Sequence, residues 1–455
     1  MSIVVVQDRA SFSLLARHEG SSLVAVTRSG HKTAAELRGY AAAVAGALAV
    51  SGAEHVVLAA RDRYLFAAGL LGAWLHGACV VLAPNLQPQV VRDAISSQPR
   101  TLHLHDGEAP TALSIDLRGL SPSAELPAFR PIKLPAQQQL VRLWTSGSTA
   151  AASAHCKTAR QLLGEAETLA RTFGLGPDTR ILATAPSFHI YGLLFGLSLP
   201  LVCGGTFVSA SPLQPAAVAG ALRDTEANVL VSVPAHLRAI ATLEADELQT
   251  LRRIFSSGAP LLSSTASALR THHDIEVTEV LGSTETGGIA WRVQSSGRER
   301  WRSFPGIRVA ADAQARLLVA SPFLPEGAGE TWPTGDRIEL ADDGTFVHLG
   351  RVDGVVKVGG KRVALADVER ALVELEGVQD AAVMARAVGG VRDHEIAALI
   401  VAGGHSIHRV RRELRCTFDP VLVPRRIRIV EKIPRDSNGK ISGLAFWRVV
   451  AGLDG

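Results

Sequence analysis

Cysteine is scarce in this sequence, and the four cysteines that occur are dispersed. Cys79, Cys156, Cys203 and Cys416 lie far apart, and no two of them have the CxxC spacing. Zinc ribbons and disulfide scaffolds both need closely and regularly spaced cysteines, so this pattern argues against both kinds of structure. A reducing cytosol is the compartment that fits the pattern best.

An excess of charge of one sign is also lacking. The formal net charge is only +4 over 455 residues, and the basic residues form no long block. A nucleic-acid groove therefore has little support, and we expect small molecules or a protein as partners. The first residues, MSIVVVQDRASF, do not show the charged start, apolar run and cleavage site of an export signal. We expect a cytoplasmic protein.

One apolar stretch, residues 64–83, is about long enough to span a bilayer. It contains His76 and three glycines, and a Pro-Asn turn follows it. A buried helix over residues 64–76 followed by a buried strand over residues 78–83 explains the stretch better. We therefore expect no membrane span.

The length and the apolar content exceed what one compact core usually accommodates, so two or more domains are expected. Helical and strand patterns alternate through residues 34–256, which predicts an α/β fold with a buried sheet. Short strands and turns after about residue 297 predict a β-rich subdomain. We place a large N-terminal domain at residues 1–350 and a small, mobile α+β C-terminal domain at residues 351–455.

Particular elements are also predicted from these patterns. Helices are expected at residues 34–49, 215–224, 235–245, 366–375 and 408–417, and strands at 55–59, 181–184, 206–209, 229–232, 253–256, 316–320, 345–349, 381–386, 396–402 and 427–430.

The strongest local motif is Thr145-Ser146-Gly147-Ser148-Thr149, in which a strand ends in hydroxyl groups and a glycine. Such a loop can wrap a polyphosphate, because glycine lets backbone N–H groups approach and hydroxyls donate to phosphate oxygens. The GxxxxGK[ST] spacing of a Walker loop is absent. Taken alone, the motif is more often an ordinary solvent-exposed loop.

Further motifs follow in order along the chain. They are Phe188-His189-Ile190-Tyr191-Gly192, Ser256-Ser257-Gly258-Ala259-Pro260, Gly282-Ser283-Thr284-Glu285-Thr286-Gly287, Thr334-Gly335-Asp336, Gly350-Arg351-Val352-Asp353, and Pro434-Arg435 with Asn438-Gly439-Lys440-Ile441. Each motif is weak alone, but their combination closely resembles the adenylate-forming superfamily of acyl-CoA synthetases, aryl-acid ligases, peptide-synthetase adenylation domains and luciferases. The resemblance covers essentially the whole chain. It implies an enzyme that activates a carboxylic acid with ATP and passes the acyl group to a thiol.

The resemblance also implies a nucleotide site, with ATP and magnesium as cofactors. The loop at residues 145–149 would hold the phosphates, and Glu285 with Thr149 would meet magnesium, since hard cations prefer oxygen ligands. Thr284 would contact the phosphate beside Glu285, and a helix-capping turn is the alternative. The other implied contacts are Ser257, Gly258, Ala259 and Pro260 at the adenine, Gly282 and Ser283 next to the phosphate turn, and Asp336 and Arg351 at the ribose hydroxyls. A surface salt bridge is the alternative for the last pair.

The small domain would supply the groups that change between two half-reactions. Lys440 matches the lysine that neutralises charge between the substrate carboxylate and the α-phosphate during adenylation. Asp353 matches the hinge about which the domain rotates. Lys357, Gly359 and Gly360 match the loop that then lies beside the thiol tunnel.

The resemblance further implies an acyl pocket. Its border would be formed by Phe188, His189, Tyr191, Gly192, Gly287 and Gly288. Flat aromatic walls with a polar contact suit an aromatic acid, although ordinary core residues would give the same pattern.

The chain departs from the superfamily pattern after Thr149. Where the family continues Thr-Gly-x-Pro-Lys, this sequence has Ala150-Ala151-Ala152-Ser153-Ala154-His155-Cys156-Lys157. Lys157 is a candidate substitute for the missing lysine. Weaker pyrophosphate binding, or a degenerate enzyme, are the alternatives.

The short N-terminal domain and the His155-x-Lys157 pair resemble the ligases of aryl-polyene and xanthomonadin pigment clusters, which load an aromatic acid onto an acyl carrier protein. We therefore expect a substrate such as 4-hydroxybenzoate and a carrier-protein thiol as acceptor. Free coenzyme A is the alternative acceptor, and a non-catalytic nucleotide-binding protein is the alternative of another class. A carrier protein presents acidic helices, and the basic patch that could meet them comprises Arg411, Arg412, Arg415, Arg425, Arg426 and Arg428.

Overall fold

The computed structural model describes residues 9–107, 113–122, 128–145, 153–294, 299–351, 354–358, 361–388, 394–404, 406–436 and 439–452. The strands are β1 (Ser11–Leu14), β2 (Leu23–Thr27), β3 (Gly30–Thr33), β4 (His55–Ala59), β5 (Val80–Leu82), β6 (Thr101–His105), β7 (Ser114–Asp116), β8 (Ile132–Pro135), β9 (Gln139–Thr145), β10 (Ser153–Thr158), β11 (Arg180–Ala183), β12 (Thr206–Val208), β13 (Val229–Ser232), β14 (Arg253–Ser256), β15 (Val277–Ser283), β16 (Gly287–Gln294), β17 (Arg302–Ser303), β18 (Arg308–Ala311), β19 (Arg316–Ala320), β20 (Trp332–Leu340), β21 (Phe346–Arg351), β22 (Val355–Val358), β23 (Lys361–Ala364), β24 (Val378–Ala387), β25 (His394–Ala402) and β26 (Arg426–Ile429).

The α-helices are α1 (Ala34–Ser51), α2 (Arg63–His76), α3 (Pro88–Ser96), α4 (Ala159–Phe173), α5 (Ile190–Leu193), α6 (Leu199–Cys203), α7 (Pro215–Thr225), α8 (Pro234–Ile240), α9 (Ser263–His273), α10 (Leu365–Val373), α11 (Ile407–Thr417) and α12 (Gly443–Ala451). A π-helical turn, Leu194–Ser198, joins α5 to α6.

The chain divides into two compact units, Met1–Arg308 with Val319–Trp332, and Val309–Leu318 with Pro333–Gly455. The second unit includes most of the sheet β18-β19-β20-β21, because β20 and β21 pair as an antiparallel ladder up to Arg351. The predicted domain boundary at residues 350/351 lies inside the second compact unit rather than at its start. It stays a prediction, as does the hinge at Asp353, a residue outside the described ranges.

The first unit contains two large sheets with parallel centres. Their orders are β10-β9-β5-β4-β6-β7 and β17-β16-β15-β14-β13-β11-β12-β2-β3. Antiparallel strands flank the parallel centres, among them the hairpin of β9 with β10 in the first sheet and the hairpin of β15 with β16 in the second. Because the central strands are parallel, their carboxyl ends meet at one edge of each sheet, where loops form ligand sites. The α/β layers expected from the sequence are confirmed.

The smaller sheet β24-β25-β26 of the second unit has an apolar core on both faces. Ile396, Ala398 and Ile400 of β25 belong to the core that also contains residues of α10 and α11. Their neighbours Ala397 and Leu399 belong to the core around Phe446 of α12. Successive strand residues point to opposite faces, so one buried strand serves both cores. The expected α+β domain is confirmed; its mobility stays a prediction.

Most predicted elements are present with boundaries shifted by a few residues. The apolar stretch from residue 64 forms the buried helix α2 and then β5, as predicted, and no helix within the described ranges is long and apolar enough to cross a membrane. The helix predicted at 235–245 was wrong in length, because α8 ends at Ile240. Leu243 N–H donates to the Ile240 carbonyl, and Glu244 begins a separate 3₁₀ turn.

Candidate active site

The predicted phosphate loop lies at the tip of the β9–β10 hairpin. Thr145 ends β9 and pairs with Ser153 at the start of β10. The backbone of Thr145 is thus placed, whereas Ser146, Gly147, Ser148 and Thr149 lie outside the described residues. Their contacts with phosphate or magnesium stay predictions.

Two side chains of β10 reach the turn between β15 and β16. His155 Nε2 lies 3.3 Å from Glu285 Oε1. Lys157 Nζ donates to the backbone carbonyl oxygens of Glu285 (3.1 Å) and Phe323 (3.2 Å). His155 and Lys157 are two residues apart and therefore share one face of the strand. The hairpin that carries the phosphate loop thus also supports the turn that carries Glu285.

Lys157 is 1% exposed, so its ammonium is committed to these carbonyl oxygens. Burial lowers the pKa of Lys157, and the nearby carboxylates of Glu165 and Glu285 oppose that shift. The sequence suggested Lys157 as a substitute for the missing phosphate-loop lysine. These contacts assign it instead to the support of the Glu285 turn.

The glycines on either side of the turn at residues 284–286 have little room for a side chain. A Cβ added to Gly287, whose φ is +70°, would lie 2.6 Å from Glu165 Oε2, and one added to Gly282 would lie 2.5 Å from the Gly287 carbonyl oxygen. The N–H of Gly288 donates to Glu165 Oε1 at 2.5 Å. Burial raises the pKa of Glu165, and Lys157 opposes this. Neighbouring atoms approach the backbone so closely that Gly282 and Gly287 must be glycines. The space beside the acyl pocket, predicted for Gly287 and Gly288, is a separate role.

Hydroxyl groups fix the same turn from within. Ser283 Oγ and Thr286 Oγ1 lie 3.0 Å apart, and the N–H of each residue donates to the hydroxyl of the other at 3.2 Å. Thr284 and Glu285 between them remain partly exposed. The turn therefore presents these two side chains on a constrained backbone.

The predicted adenine loop lies beside this turn. It follows β14, and the phosphate turn follows β15, which is the parallel neighbour of β14. Ser257 Oγ donates to the Val280 carbonyl oxygen at 2.8 Å, and Gly258 has a φ of +90°. The N–H of Leu261 donates to Glu279 Oε1 at 2.9 Å. Ala259 and Pro260 complete this loop, so the structure brings both predicted nucleotide segments to one sheet edge.

The buried carboxyl of Glu279 supports the adenine loop. Arg292 donates to Glu279 Oε2 at 2.6 Å, and its guanidinium lies over the Trp301 ring. Burial raises the pKa of Glu279, an effect that Arg292 opposes. This support was not predicted from the sequence.

The predicted acyl-pocket segment follows the carboxyl end of β11. The rings of Phe188 and His189 lie 4.6 Å apart, and those of Tyr191 and Phe195 lie 5.1 Å apart. A Cβ at Gly192 would lie 2.1 Å from the Pro186 carbonyl oxygen, so this position requires glycine. The segment therefore presents aromatic rings at the edge where a ligand is expected.

A short chain of polar side chains lies at the ends of β11 and β13. Thr184 Oγ1 is 2.8 Å from Ser232 Oγ and 3.0 Å from His236 Nδ1. Burial lowers the pKa of His236 and raises that of Tyr191, although the Ser232 backbone opposes the Tyr191 shift. The sequence analysis missed Thr184, Ser232 and His236, for which only their positions just after apolar strands were a signal.

In the second unit, Asp336 and Arg351 are direct partners in the β20–β21 ladder. Arg351 Nη1 lies 4.0 Å from Asp336 Oδ1, and His348 Nε2 lies closer, at 3.0 Å. The N–H of Asp336 donates to Thr334 Oγ1. The Asp336 carboxylate is thus held by groups on its own sheet, and its role at the ribose stays a prediction. His348 was missed, although pairing the strands back from the Asp-Asp-Gly turn would have placed it opposite Ile338, two residues from Asp336.

The loop with Lys440 also belongs to the second unit. Lys440 is exposed, and its N–H donates to Asp436 Oδ1 at 2.8 Å. Lys357 pairs through its backbone with Arg362 in the β22–β23 hairpin. Gly359 and Gly360, between these strands, lie outside the described residues. The tunnel role of this hairpin stays a prediction.

Magnesium ligation was tested on the donors present. Among the described residues no group of three or more His, Cys, Asp and Glu side chains forms a metal cluster. The Glu285 carboxylate is one-quarter exposed and supplies the hard oxygen that magnesium prefers, with phosphate oxygens as the natural additional ligands. Glu285 therefore fits as a residue that would hold a magnesium ion together with the nucleotide phosphates.

Comparison with known proteins gives two family matches. The AMP-binding enzyme family matches residues 15–337, and the AMP-binding enzyme C-terminal domain matches residues 367–440. A 4-coumarate–CoA ligase of Halorhodospira halophila is 30% identical over 305 residues, which cover 65% of this chain and 73% of that protein. A p-hydroxybenzoic acid–AMP ligase of Mycobacterium tuberculosis is 28% identical over 298 residues, covering 59% of this chain and 42% of that protein.

The fold agrees with these matches. The ATP-bound structure of MatB from Rhodopseudomonas palustris superposes with a TM-score of 0.79 at 20% identity, over 95% of this chain and 97% of that one. The family matches cover most of the chain and include its predicted nucleotide segments, except Arg351. The protein therefore belongs to the adenylate-forming superfamily of AMP-binding enzymes and is an ATP-dependent, AMP-forming acid–thiol ligase.

Proposed function

We propose that the enzyme activates an aromatic, hydroxybenzoate-like acid and transfers it to the phosphopantetheine thiol of an acyl carrier protein. The observation that carries the choice of acid is the acyl-pocket segment. Its aromatic rings, Phe188, His189 and Tyr191, follow the carboxyl end of β11, and Tyr191 lies next to Ser232, which belongs to the polar chain with Thr184 and His236. Flat walls with buried polar groups suit a ring that carries a hydroxyl better than an aliphatic chain.

The named relatives support an aromatic acid. One acts on 4-coumarate and another on p-hydroxybenzoic acid, according to their names. A buried phenol hydroxyl needs a hydrogen-bond partner. The Tyr191 and His236 side chains are the proposed partners for the ring hydroxyl of the acid. 4-Hydroxybenzoate is the first acid to test.

The first proposed half-reaction forms the acyl-adenylate. A carboxylate oxygen attacks the α-phosphorus of ATP, the α–β phosphoanhydride bond breaks, and pyrophosphate leaves with that electron pair. Lys440 neutralises the charge between the two anions, and Thr284 contacts the phosphate. Bound magnesium, held by Glu285 and Thr149, would supply further neutralisation of the phosphates. Asp336 and Arg351 bind the ribose hydroxyls.

The second proposed half-reaction forms the thioester. The thiol sulfur attacks the acyl carbon after losing its proton, the bond to the AMP oxygen breaks, and AMP leaves. The hairpin with Lys357, Gly359 and Gly360 borders the thiol in this step, after rotation about Asp353. Because the enzyme uses ATP, we propose that it acts in the cytoplasm. Its proposed product is a carrier-bound aryl thioester, the kind of product expected from a ligase of a pigment cluster.

A basic surface on the second unit supports a carrier protein as acceptor. Arg412 and Arg415 lie exposed on α11, one helical turn apart, and Arg425 lies exposed before β26. Arg411 donates to the Arg425 carbonyl oxygen, which ties the two segments together. Arg426 is the less available member, since it pairs with Glu395. An acidic carrier helix is complementary to such a surface.

The adenylation assay is acid-dependent exchange of labelled pyrophosphate into ATP, run with benzoates and fatty acids. We expect exchange with 4-hydroxybenzoate and its near relatives, and its loss in Lys440→Ala. Exchange only with fatty acids would overturn the aromatic assignment.

The thiol acceptor is identified by comparing thioester formation on holo-carrier protein with thioester formation on free coenzyme A. We expect the charge reversals Arg412→Glu and Arg415→Glu, combined, to lower kcat/KM for the carrier protein at least about tenfold, because both like charges repel its acidic helix. Pyrophosphate exchange should be unchanged. Arg92→Glu, an exposed reversal on α3, is the matched control. Equal or faster turnover with coenzyme A, insensitive to both reversals, would establish a coenzyme A ligase instead.

A further inference from the structure

Arg435 joins the Lys440 loop to the central sheet of its domain. Its Nη2 donates to Asp380 Oδ1 at 3.1 Å and to the Ala381 carbonyl oxygen at 2.9 Å, and its Nε donates to Asp380 Oδ2 at 3.3 Å. Its Nη1 donates to the Gly439 carbonyl oxygen at 3.0 Å. One planar guanidinium therefore binds strand β24 and the residue immediately before Lys440.

The loop itself is closed by backbone contacts. The N–H of Asp436 donates to the Lys440 carbonyl oxygen at 2.6 Å, and the N–H of Gly439 donates to the Asp436 carbonyl oxygen at 2.9 Å. Gly439 has a φ of +74°, a left-handed conformation that glycine adopts without strain. These bonds fix the shape of the loop but do not attach it to the sheet. The side chain of Arg435 attaches the loop to the sheet through Asp380 and Ala381, while Ile433 and Ile441 on either side of the loop pack on the core of the sheet.

The attachment is well suited to precise positioning. The Arg435 and Asp380 side chains are 20% and 16% exposed, so their two-point pair is only weakly screened by solvent. A fork with fixed N–H directions holds a backbone carbonyl in one orientation, which a flexible ammonium does not. Lys440 follows that carbonyl directly and remains exposed.

We infer that Arg435 is a positioning residue for Lys440 and that its effect is confined to the adenylation half-reaction. The inference rests on the proposed role of Lys440 in that step. Arg435 directs its donors to protein acceptors, so it acts through the loop and not on the reactants. A displacement of about 1 Å in a catalytic group is enough to slow a reaction by up to about a hundredfold.

The test separates the two half-reactions in the full-length enzyme. Adenylation is followed by acid-dependent pyrophosphate exchange, and acyl transfer by the reaction of a chemically synthesised acyl-adenylate with the thiol acceptor. The variants are Arg435→Met, Arg435→Lys and Asp380→Asn. Arg386→Met is the control, because Arg386 lies on β24 like Asp380 and pairs with Glu395 of β25, and neither residue contacts Gly439 or Lys440 in the described hydrogen bonds.

We expect Arg435→Met to lower kcat for exchange by about ten- to a hundredfold, with KM for ATP and acid changed less than about threefold. Acyl transfer from the synthetic adenylate should keep its rate. Arg435→Lys should restore part of the loss, Asp380→Asn should show the same split more weakly, and Arg386→Met should affect neither step.

Three results would overturn the inference. If Arg435→Met leaves exchange unaffected while Lys440→Ala abolishes it, Arg435 does not position Lys440, and the proposed role of Lys440 stands. Equal losses in both half-reactions, for Asp380→Asn as well as Arg435→Met, would assign the pair to domain stability. Undiminished exchange in Lys440→Ala would reject the proposed lysine and the inference with it.

Discussion

The contact between Gly287 and Glu165 gives a prediction whose size follows from the structure. Replacing Gly287 by alanine places a Cβ 2.6 Å from Glu165 Oε2 and 3.0 Å from its Cδ, at a φ of +70°. The left-handed conformation costs an alanine about 1–2 kcal/mol. Glu165 must also move, which deprives the Gly288 N–H of its acceptor, and an unsatisfied buried donor costs about 1–3 kcal/mol. The sum predicts a loss of about 2–5 kcal/mol for Gly287→Ala.

A matched glycine separates the two terms. Gly329 has a φ of +72°, and a Cβ added there meets no atom within 4 Å. Gly329→Ala should therefore cost only the conformational term, about 1–2 kcal/mol. The difference between the variants, about 1–3 kcal/mol, measures the collision with Glu165.

Urea unfolding followed by tryptophan fluorescence provides the assay, with each variant compared at its transition midpoint. Glu165→Ala is added to both backgrounds, because it removes the colliding carboxylate and should make Gly287→Ala cost no more than Gly329→Ala. Equal destabilisation by the two glycine variants would refute the reasoning. So would an unchanged cost of Gly287→Ala in the Glu165→Ala background.

Three other perturbations test separate parts of the molecule. Asp336→Asn should raise KM for ATP about tenfold or more with little change in KM for the acid, since hydrogen bonds to a charged group are worth about 1.5–3 kcal/mol; steady-state kinetics at fixed acid checks this. Lys157→Met should lower the free energy of unfolding by about 2–4 kcal/mol in urea titrations, because two buried carbonyl oxygens lose their donor. Burial, with His105 adding to the effect, lowers the pKa of His103 from 6.5 to about 4, so the unfolded chain takes up a proton that the folded one excludes. Stability should fall as pH drops from 6.5 towards 4, by about 3 kcal/mol at most, and His103→Phe should flatten that dependence in unfolding measured at pH 7.5 and 5.

Local patterns predicted much of the secondary structure. Apolar runs placed the strands at 55–59, 229–232 and 253–256 with the observed bounds, since a buried strand leaves a short continuous signal. The length of α8 was wrong because alternating apolar residues continue past Ile240 although the backbone leaves the helix there. Helix ends depend on which backbone groups find partners, and sequence periodicity does not report that.

The sequence contains a signal for one residue that supports the site, the buried Glu165. Glu165 lies four residues before Leu169 and three after Leu162, within the apolar stripe of α4. A carboxylate at such a position needs a buried partner, which is a signal that the sequence analysis did not use. Its partner, the Gly288 N–H, is more than a hundred residues away and was not predictable.

The sequence by itself determined the order of the motifs, and with it the family and the chemistry of acid activation. The residues proposed to carry that chemistry are a prediction from the sequence, made from the functional groups of a lysine, a carboxylate and a hydroxyl loop. The tertiary structure alone decided what holds those residues in place: Lys157 on the Glu285 carbonyl, Glu165 on the Gly288 N–H, and Arg435 between Asp380 and Gly439. The physical reason is that such contacts join distant segments, and their partners are set by strand register and packing, on which the spacing of residues along the chain carries no information.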